Sequence, residues 1–227
     1  MTAVPPPVAR IAEVMSSFPA RWCLCGGWAV DAILGGETRR HGDVDITIFE
    51  DDAAALYKHL AGWQLIAHDT RVPGNSAEPW NGRKLSLPAH IHGHAPDDGP
   101  STPAFLVNPS EQGFDLEIVV NELSESGDWQ LYYIPNEVHN FSREPLLTVP
   151  LGECTQESTW GFPTLTAQVL LFYKATAYRD SANYLRRRDH LDFDRLLPRL
   201  TKQQRSWLHD AIALVDADHP WLGVLAM

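Results

Sequence analysis

Trp22-Cys23-Leu24-Cys25-Gly26-Gly27-Trp28-Ala29-Val30-Asp31, followed after a short link by Gly42-Asp43-Val44-Asp45-Ile46-Thr47-Ile48-Phe49, is the stretch that decides the fold. The apolar run Arg21–Cys25 reads as a strand and Gly26-Gly27 as a turn. Trp28–Leu34 reads as a short helix, stopped by Gly35 and Gly36. A second strand, Val44–Phe49, opens just after Asp43 and carries Asp45. Alternate side chains of a strand share a face, so Asp43 and Asp45 point one way and Val44, Ile46 and Ile48 the other. Asp is disfavoured in strands, and two like charges so close repel unless a cation lies between them. Mg2+ prefers such carboxylate oxygens together with phosphate oxygens. The turn adds glycines that let backbone approach a ligand, and a helix start whose N–H groups suit phosphate.

Working outward, Val8–Ser17 has helical spacing behind the stiff lead-in Pro5-Pro6-Pro7, and Ala53–Leu60 reads as a helix that Asp51 or Asp52 can cap, ended by Gly62. Trp63–His68 and Lys84–His92 read as strands, with Arg71–Gly82 and Gly93–Pro103 as loops rich in Pro, Gly, Asn or Asp. Phe114–Val120 alternates strongly: Phe114, Leu116, Ile118 and Val120 fall on one face, Asp115, Glu117 and Val119 on the other. If this strand neighbours Val44–Phe49, Asp115 or Glu117 can join the first pair, share a metal and accept a proton from an attacking hydroxyl. Gln130–Ile134 reads as a further strand. After Pro163 the pattern turns helical: Ala167–Tyr178, Asp189–Leu197, and a helix after the capping-box pair Thr201 and Gln204. The expected class is therefore α+β (mixed α/β), a sheet with flanking helices in residues 1–160 followed by a helical domain in 161–227.

Lys174 ends the apolar run of its helix, where a buried stem can carry an ammonium to a phosphate; a surface lysine at a helix end is the competing reading. Arg39, Arg40 and His41 can bind phosphate or pair with Asp43. His90, His92 and His94 alternate along one strand face, a pattern open to Zn2+, although no Cys or Glu at helical metal spacing accompanies them. A half-exposed strand is the favoured reading of that run.

The 227-residue chain carries 18 Lys and Arg against 29 Asp and Glu, a net charge of −11, which argues against a large nucleic-acid surface and is compatible with a cationic small substrate. Three Cys make no secreted disulfide framework, and Cys23 and Cys25 read as buried apolar residues. Without a signal sequence or an apolar run of spanning length, the expected location is the cytoplasm.

Taken together, Gly26-Gly27 followed by Asp43-Val44-Asp45 resembles the signature of the polymerase-β-type nucleotidyltransferase superfamily. Gly-Gly-Trp-Ala-Val-Asp with Thr38-Arg39-Arg40-His41-Gly42-Asp43-Val44-Asp45 looks like its antibiotic-modifying branch, the aminoglycoside and lincosamide nucleotidyltransferases. Gln168–Ala175, Arg188-Asp189 with Asp192, Leu197-Pro198, Trp207-Leu208 and His219-Pro220-Trp221 look like that branch's helical tail. The resemblance implies transfer of a nucleoside monophosphate, AMP from ATP, to a hydroxyl of a small acceptor such as an aminoglycoside, with pyrophosphate released. It implies Asp43 and Asp45 as Mg2+ ligands and Glu117 as the third carboxylate and base, with Asp115 as the alternative. Gly26 and Gly27 would hold the triphosphate, and Lys174 would reach it. The same fold also admits a protein or tRNA acceptor, or nucleotide binding without turnover.

Overall fold

The computed structural model describes residues 3–69, 77–87, 89–96, 116–133, 144–176 and 185–226. Its contacts divide the chain into two compact units, Met1–Leu123 with Glu157–Thr164, and Ser124–Gln156 with Leu165–Met227. The expected boundary at residue 160 falls inside the segment by which the chain returns to the first unit.

In the first unit, helix α1 (Pro6–Met15) begins with prolines, whose missing N–H costs nothing in a first turn. Strand β1 (Cys23–Leu24) is shorter than the expected Arg21–Cys25, because the backbone turns into helix α2 (Gly26–Leu34) directly after Cys25. That helix takes in both glycines rather than starting at Trp28. It closes on Gly35, left-handed at φ 87°, the conformation a residue with a Cβ resists. Strand β2 (Val44–Phe49) has the expected bounds. Helix α3 (Ala53–His59) follows a short 3-10 turn, and Asp52 holds its N-cap position without a side-chain capping bond. Strand β3 (Gln64–Asp69) pairs with a short strand, β4 (Ala77–Pro79), inside the stretch expected to be loop. Strand β5 (Ala89–His94) starts later than expected and ends later. Pairing with β3 carries the strand from Ala89, opposite Asp69, through His94, opposite Gln64. Strand β6 (Leu116–Leu123) outruns the expected end at Val120, and the buried Asn121 donates from Nδ2 to Thr47 Oγ1. Phe114 and Asp115 lie outside the described residues.

Within this unit the strands run β4-β3-β5-β6-β2-β1, and Leu24 of β1 pairs with Thr164 of a later strand. β2 and β6 are parallel, with Val44 opposite Leu116, Asp45 opposite Glu117 and Ile46 opposite Ile118. Val44, Ile46, Ile48, Leu116, Ile118 and Val120 are all fully buried. At about 1.5–3 kcal/mol for each such side chain, this floor fixes the register, since a one-residue slip would turn every one of them to the other face. The register in turn fixes what stands on the opposite face.

The second unit holds β7 (Trp129–Leu131) antiparallel to β8 (Leu147–Val149) and helix α4 (Leu151–Cys154). The short strands β9 (Thr155–Glu157) and β10 (Pro163–Leu165) lie at the two ends of the return segment, where the chain passes between the units. Four helices follow: α5 (Ala167–Thr176), α6 (Arg187–Leu196), α7 (Lys202–Ala213) and α8 (Leu222–Leu225). Thr201 and Gln204 complete the expected capping box at α7. Five tryptophans (Trp28, Trp80, Trp129, Trp160 and Trp221) are buried, so most of this residue type builds core rather than a cleft. Among the described residues no helix is long and apolar enough to cross a membrane.

Candidate active site

Asp45 and Glu117 face each other across the parallel β2–β6 pair, and Asp43 stands two residues before Asp45. One oxygen from each of the three carboxylates lies within 4.8 Å of the others. All three side chains are half-buried, above the apolar floor. Three hard oxygen donors of like charge at this spacing suit a divalent cation such as Mg2+.

The carboxylates also perturb each other. Burial alone would raise the Glu117 carboxyl; a hydrogen bond from His90, the charge on His90 and His92, and a hydrogen bond shared with Asp45 outweigh it and hold Glu117 well below the usual carboxylate range. Beneath them, burial first and then the charges of Asp45, Cys23, Glu117 and Asp43 push the Cys25 thiol well up, so this cysteine stays neutral and inert.

The Gly-Gly turn meets this cluster directly. Cys25 donates its backbone N–H to Asp45 C=O at 3.0 Å, and the first bond of the α2 ladder runs from Ala29 N–H to Cys25 C=O. The amides of Gly26, Gly27 and Trp28 therefore precede the ladder, as the leading N–H groups of any helix do. Gly26 has φ +59°, and a Cβ there would overlap the Asp45 carboxylate; a Cβ at Gly27 would overlap the His41 ring and the Arg39 guanidinium. Gly26→Ala is expected to cost about 1–2 kcal/mol in backbone conformation alone and to displace Asp45. The melting temperature would fall, and any turnover that depends on the position of Asp45 would drop by about a hundredfold for a misplacement near 1 Å.

The link that returns the chain to Asp43 is tied down by a residue that sequence reasoning did not single out. Asp31 of α2 is fully buried. It accepts from Thr38 Oγ1 at 2.5 Å, and its other oxygen lies 2.7 Å from His41 Nε2. The His41 ring packs on Trp28 at 4.1 Å between centroids. His41 is thus committed to Asp31 rather than to Asp43 or to phosphate. The signal was the polar Asp31 in an otherwise apolar helix, which needs a partner when buried. His41→Ala leaves one Asp31 oxygen without that partner, and urea unfolding should report a loss of about 1–3 kcal/mol.

The histidine run lies on the carboxylate side of the sheet. His90, His92 and His94 are half-buried and alternate with the buried Ala89, Ile91 and Gly93. His92 is opposite Glu117, but its ring packs against His68 at 4.1 Å, and burial pushes it down to about 4. His90 Nδ1 is 2.5 Å from Glu117 Oε1. Among the described residues the histidines form no metal-holding group; the one such group is Asp43, Asp45 and Glu117.

Lys174 belongs to the second unit and is buried there. Its Nζ lies 3.1 Å from Asp189 Oδ1 and 2.8 Å from Asp192 Oδ2. Arg186 Nε donates to the other oxygen of Asp189 at 2.6 Å. The ammonium offered by the sequence to a triphosphate is held by two aspartates of α6.

Residues 7–77 match the family described as aminoglycoside-2''-adenylyltransferase. Three solved structures share the architecture. The lincosamide antibiotic adenylyltransferase LnuA, bound to lincomycin, is 16% identical, with a TM-score of 0.50 over 87% of this chain and 98% of that one. The antibiotic-resistance factor ANT(2'')-Ia in solution is 13% identical, with a TM-score of 0.52 over 90% of this chain and 88% of that one. ANT(2'')-Ia in complex with adenylyl-2''-tobramycin is 13% identical, with a TM-score of 0.51 over 90% of this chain and 94% of that one. The chain shares its fold with these antibiotic adenylyltransferase structures. No curated protein sequence matches the chain significantly. The family match spans α1 to the start of β4 and so includes the Gly-Gly turn, Asp31, His41 and the Asp43–Asp45 pair; Glu117 and the helices lie beyond it.

Proposed function

We propose that the chain is an adenylyltransferase that moves AMP from ATP onto a hydroxyl of a small antibiotic-like acceptor. The observation that carries this reading is the convergence of Asp43, Asp45 and Glu117 beside the Gly26-Gly27 turn. The family match over residues 7–77 and the fold shared with lincosamide and aminoglycoside adenylyltransferases support it.

In this reading the acceptor oxygen forms a bond to the α-phosphorus of ATP, the bond from that phosphorus to the β-phosphate bridge breaks, and pyrophosphate leaves. Asp43, Asp45 and Glu117 would hold Mg2+, which supplies Lewis-acid stabilisation of charge on the phosphoryl oxygens. The amides at the start of α2 receive triphosphate oxygens, with Gly26 and Gly27 allowing the backbone to come close. Glu117 accepts the proton that the acceptor hydroxyl gives up. Held low by its neighbours, it is an ionised, weak base, so positioning carries more of the rate than proton affinity does. Lys174 acts as an anchor of the helical unit, its charge already matched by Asp189 and Asp192.

The test is incubation of the purified chain with Mg2+, ATP and a panel containing tobramycin, other aminoglycosides and lincomycin. Pyrophosphate release should match, mole for mole, an acceptor whose mass has grown by one AMP. Pyrophosphate without a modified acceptor, or no turnover with any member while Mg2+-ATP binds, would refute the proposal.

A further inference from the structure

Glu117 has the longest side chain of the carboxylate cluster, so its rotamer sets which of its oxygens meets Asp43 and Asp45. Two imidazoles of β5 stand near it. His92 is directly opposite Glu117 in the antiparallel β5–β6 pair, yet its ring is turned to His68. His90 is opposite Val119, diagonal to Glu117, at a separation that an imidazole and a glutamate can bridge. It does so: His90 Nδ1 is 2.5 Å from Glu117 Oε1, and both side chains are largely shielded, at 11% and 17% exposure.

We propose that His90 is a positioning residue for Glu117: its Nδ1–H engages Oε1, fixes the rotamer, and leaves the second oxygen to meet the cation and the acceptor proton. This inference rests on Glu117 being the third ligand and the base, as proposed above. A carboxylate accepts only, so in this arrangement His90 Nδ1 is the donor. The arrangement parallels the outer partners that orient metal-ligating side chains, whose removal typically costs 10–100-fold in metal affinity or activity. It also gives the histidine run a purpose that needs no zinc: one member orients Glu117, and another packs with His68.

The experiment uses the full chain and has two readouts. Mn2+ binding is followed by the EPR signal of the free ion, in the presence of a non-hydrolysable ATP analogue. Turnover is followed by pyrophosphate release. His90→Ala should weaken Mn2+ binding about 10–100-fold and lower kcat by a similar factor, with little change in KM for ATP. His90→Asn keeps an amide nitrogen close to the Nδ1 position and should recover both readouts to within about threefold. His90→Gln moves that nitrogen toward the Nε2 position and should resemble His90→Ala. In a Glu117→Gln background, His90→Ala should add nothing further. Wild-type Mn2+ affinity in His90→Ala, or equal impairment in the Ala, Asn and Gln variants at matched melting temperature, overturns the proposal. Should no acceptor be turned over, the adenylyltransferase reading fails, and the Mn2+ arm still decides the role of His90.

Discussion

Asp45→Asn should lower transfer by about a thousandfold or more, near 4 kcal/mol of transition-state stabilisation, while leaving the fold at least as stable as before. The two halves of this result have one cause. In the unliganded protein three carboxylates lie within 4.8 Å, two of them opposed across β2 and β6. Carboxylates this close repel when ionised without a cation, and neutralising one removes part of that cost. Asn has the shape of Asp, fits under Gly26 where a Cβ would not, and still offers an N–H to Glu117. A gain of about 1 kcal/mol would raise the melting temperature by roughly 2–4 °C in a protein of this size. What disappears is affinity for the cation. Wild type at a hundredfold excess of Mg2+-ATP over its Kd should gain about 2.7 kcal/mol of stability, and the variant should gain far less. Melting curves with and without Mg2+-ATP, beside steady-state rates, give both halves. Full activity in Asp45→Asn would remove the carboxylate mechanism outright.

How far the sequence alone reached this site follows from the range of each interaction. Asp43 and Asp45 were legible because period-two alternation within one strand places them on a common face with no knowledge of neighbours. The same alternation put Glu117 on the outer face of its own strand, but only the observed β2–β6 register sets it against Asp45. Asp31 and His41 are ten residues apart, yet each reads as ordinary until α2 and the following link fold onto one another. Nothing local in the sequence links His90 to Glu117, 27 residues on; the link is the pairing of β5 with β6. Capping chemistry, by contrast, is local, and Thr201 with Gln204 was readable as it stands.

Lys174 tests whether a residue suggested by resemblance serves the reaction or the fold. Lys174→Met is expected to destabilise the protein by about 3–5 kcal/mol, the usual result of stripping one member from a buried ion pair. Asp189 and Asp192 are at 0% and 1% exposure, so neither can turn to water when the ammonium is lost. Arg186 remains on Asp189 at 2.6 Å, and Arg195 stands 3.5 Å from Asp192; these partners temper the loss without replacing a cation that bridges both carboxylates. Against a total stability of about 5–15 kcal/mol, the change should be plain in urea unfolding, as a fall in midpoint at constant slope. Pairing it with Asp192→Asn supplies the internal control. That substitution removes one of the charges left unbalanced, so the double variant should be more stable than the sum of the single losses by about 0.5–3 kcal/mol. A phosphate-binding lysine predicts the opposite pattern: unfolding close to wild type, KM for ATP sharply raised, and no coupling to Asp192. With its ammonium already between two buried carboxylates, Lys174 has no charge to spare for a triphosphate unless that cluster opens, and opening it would expose the same loss that the methionine variant measures.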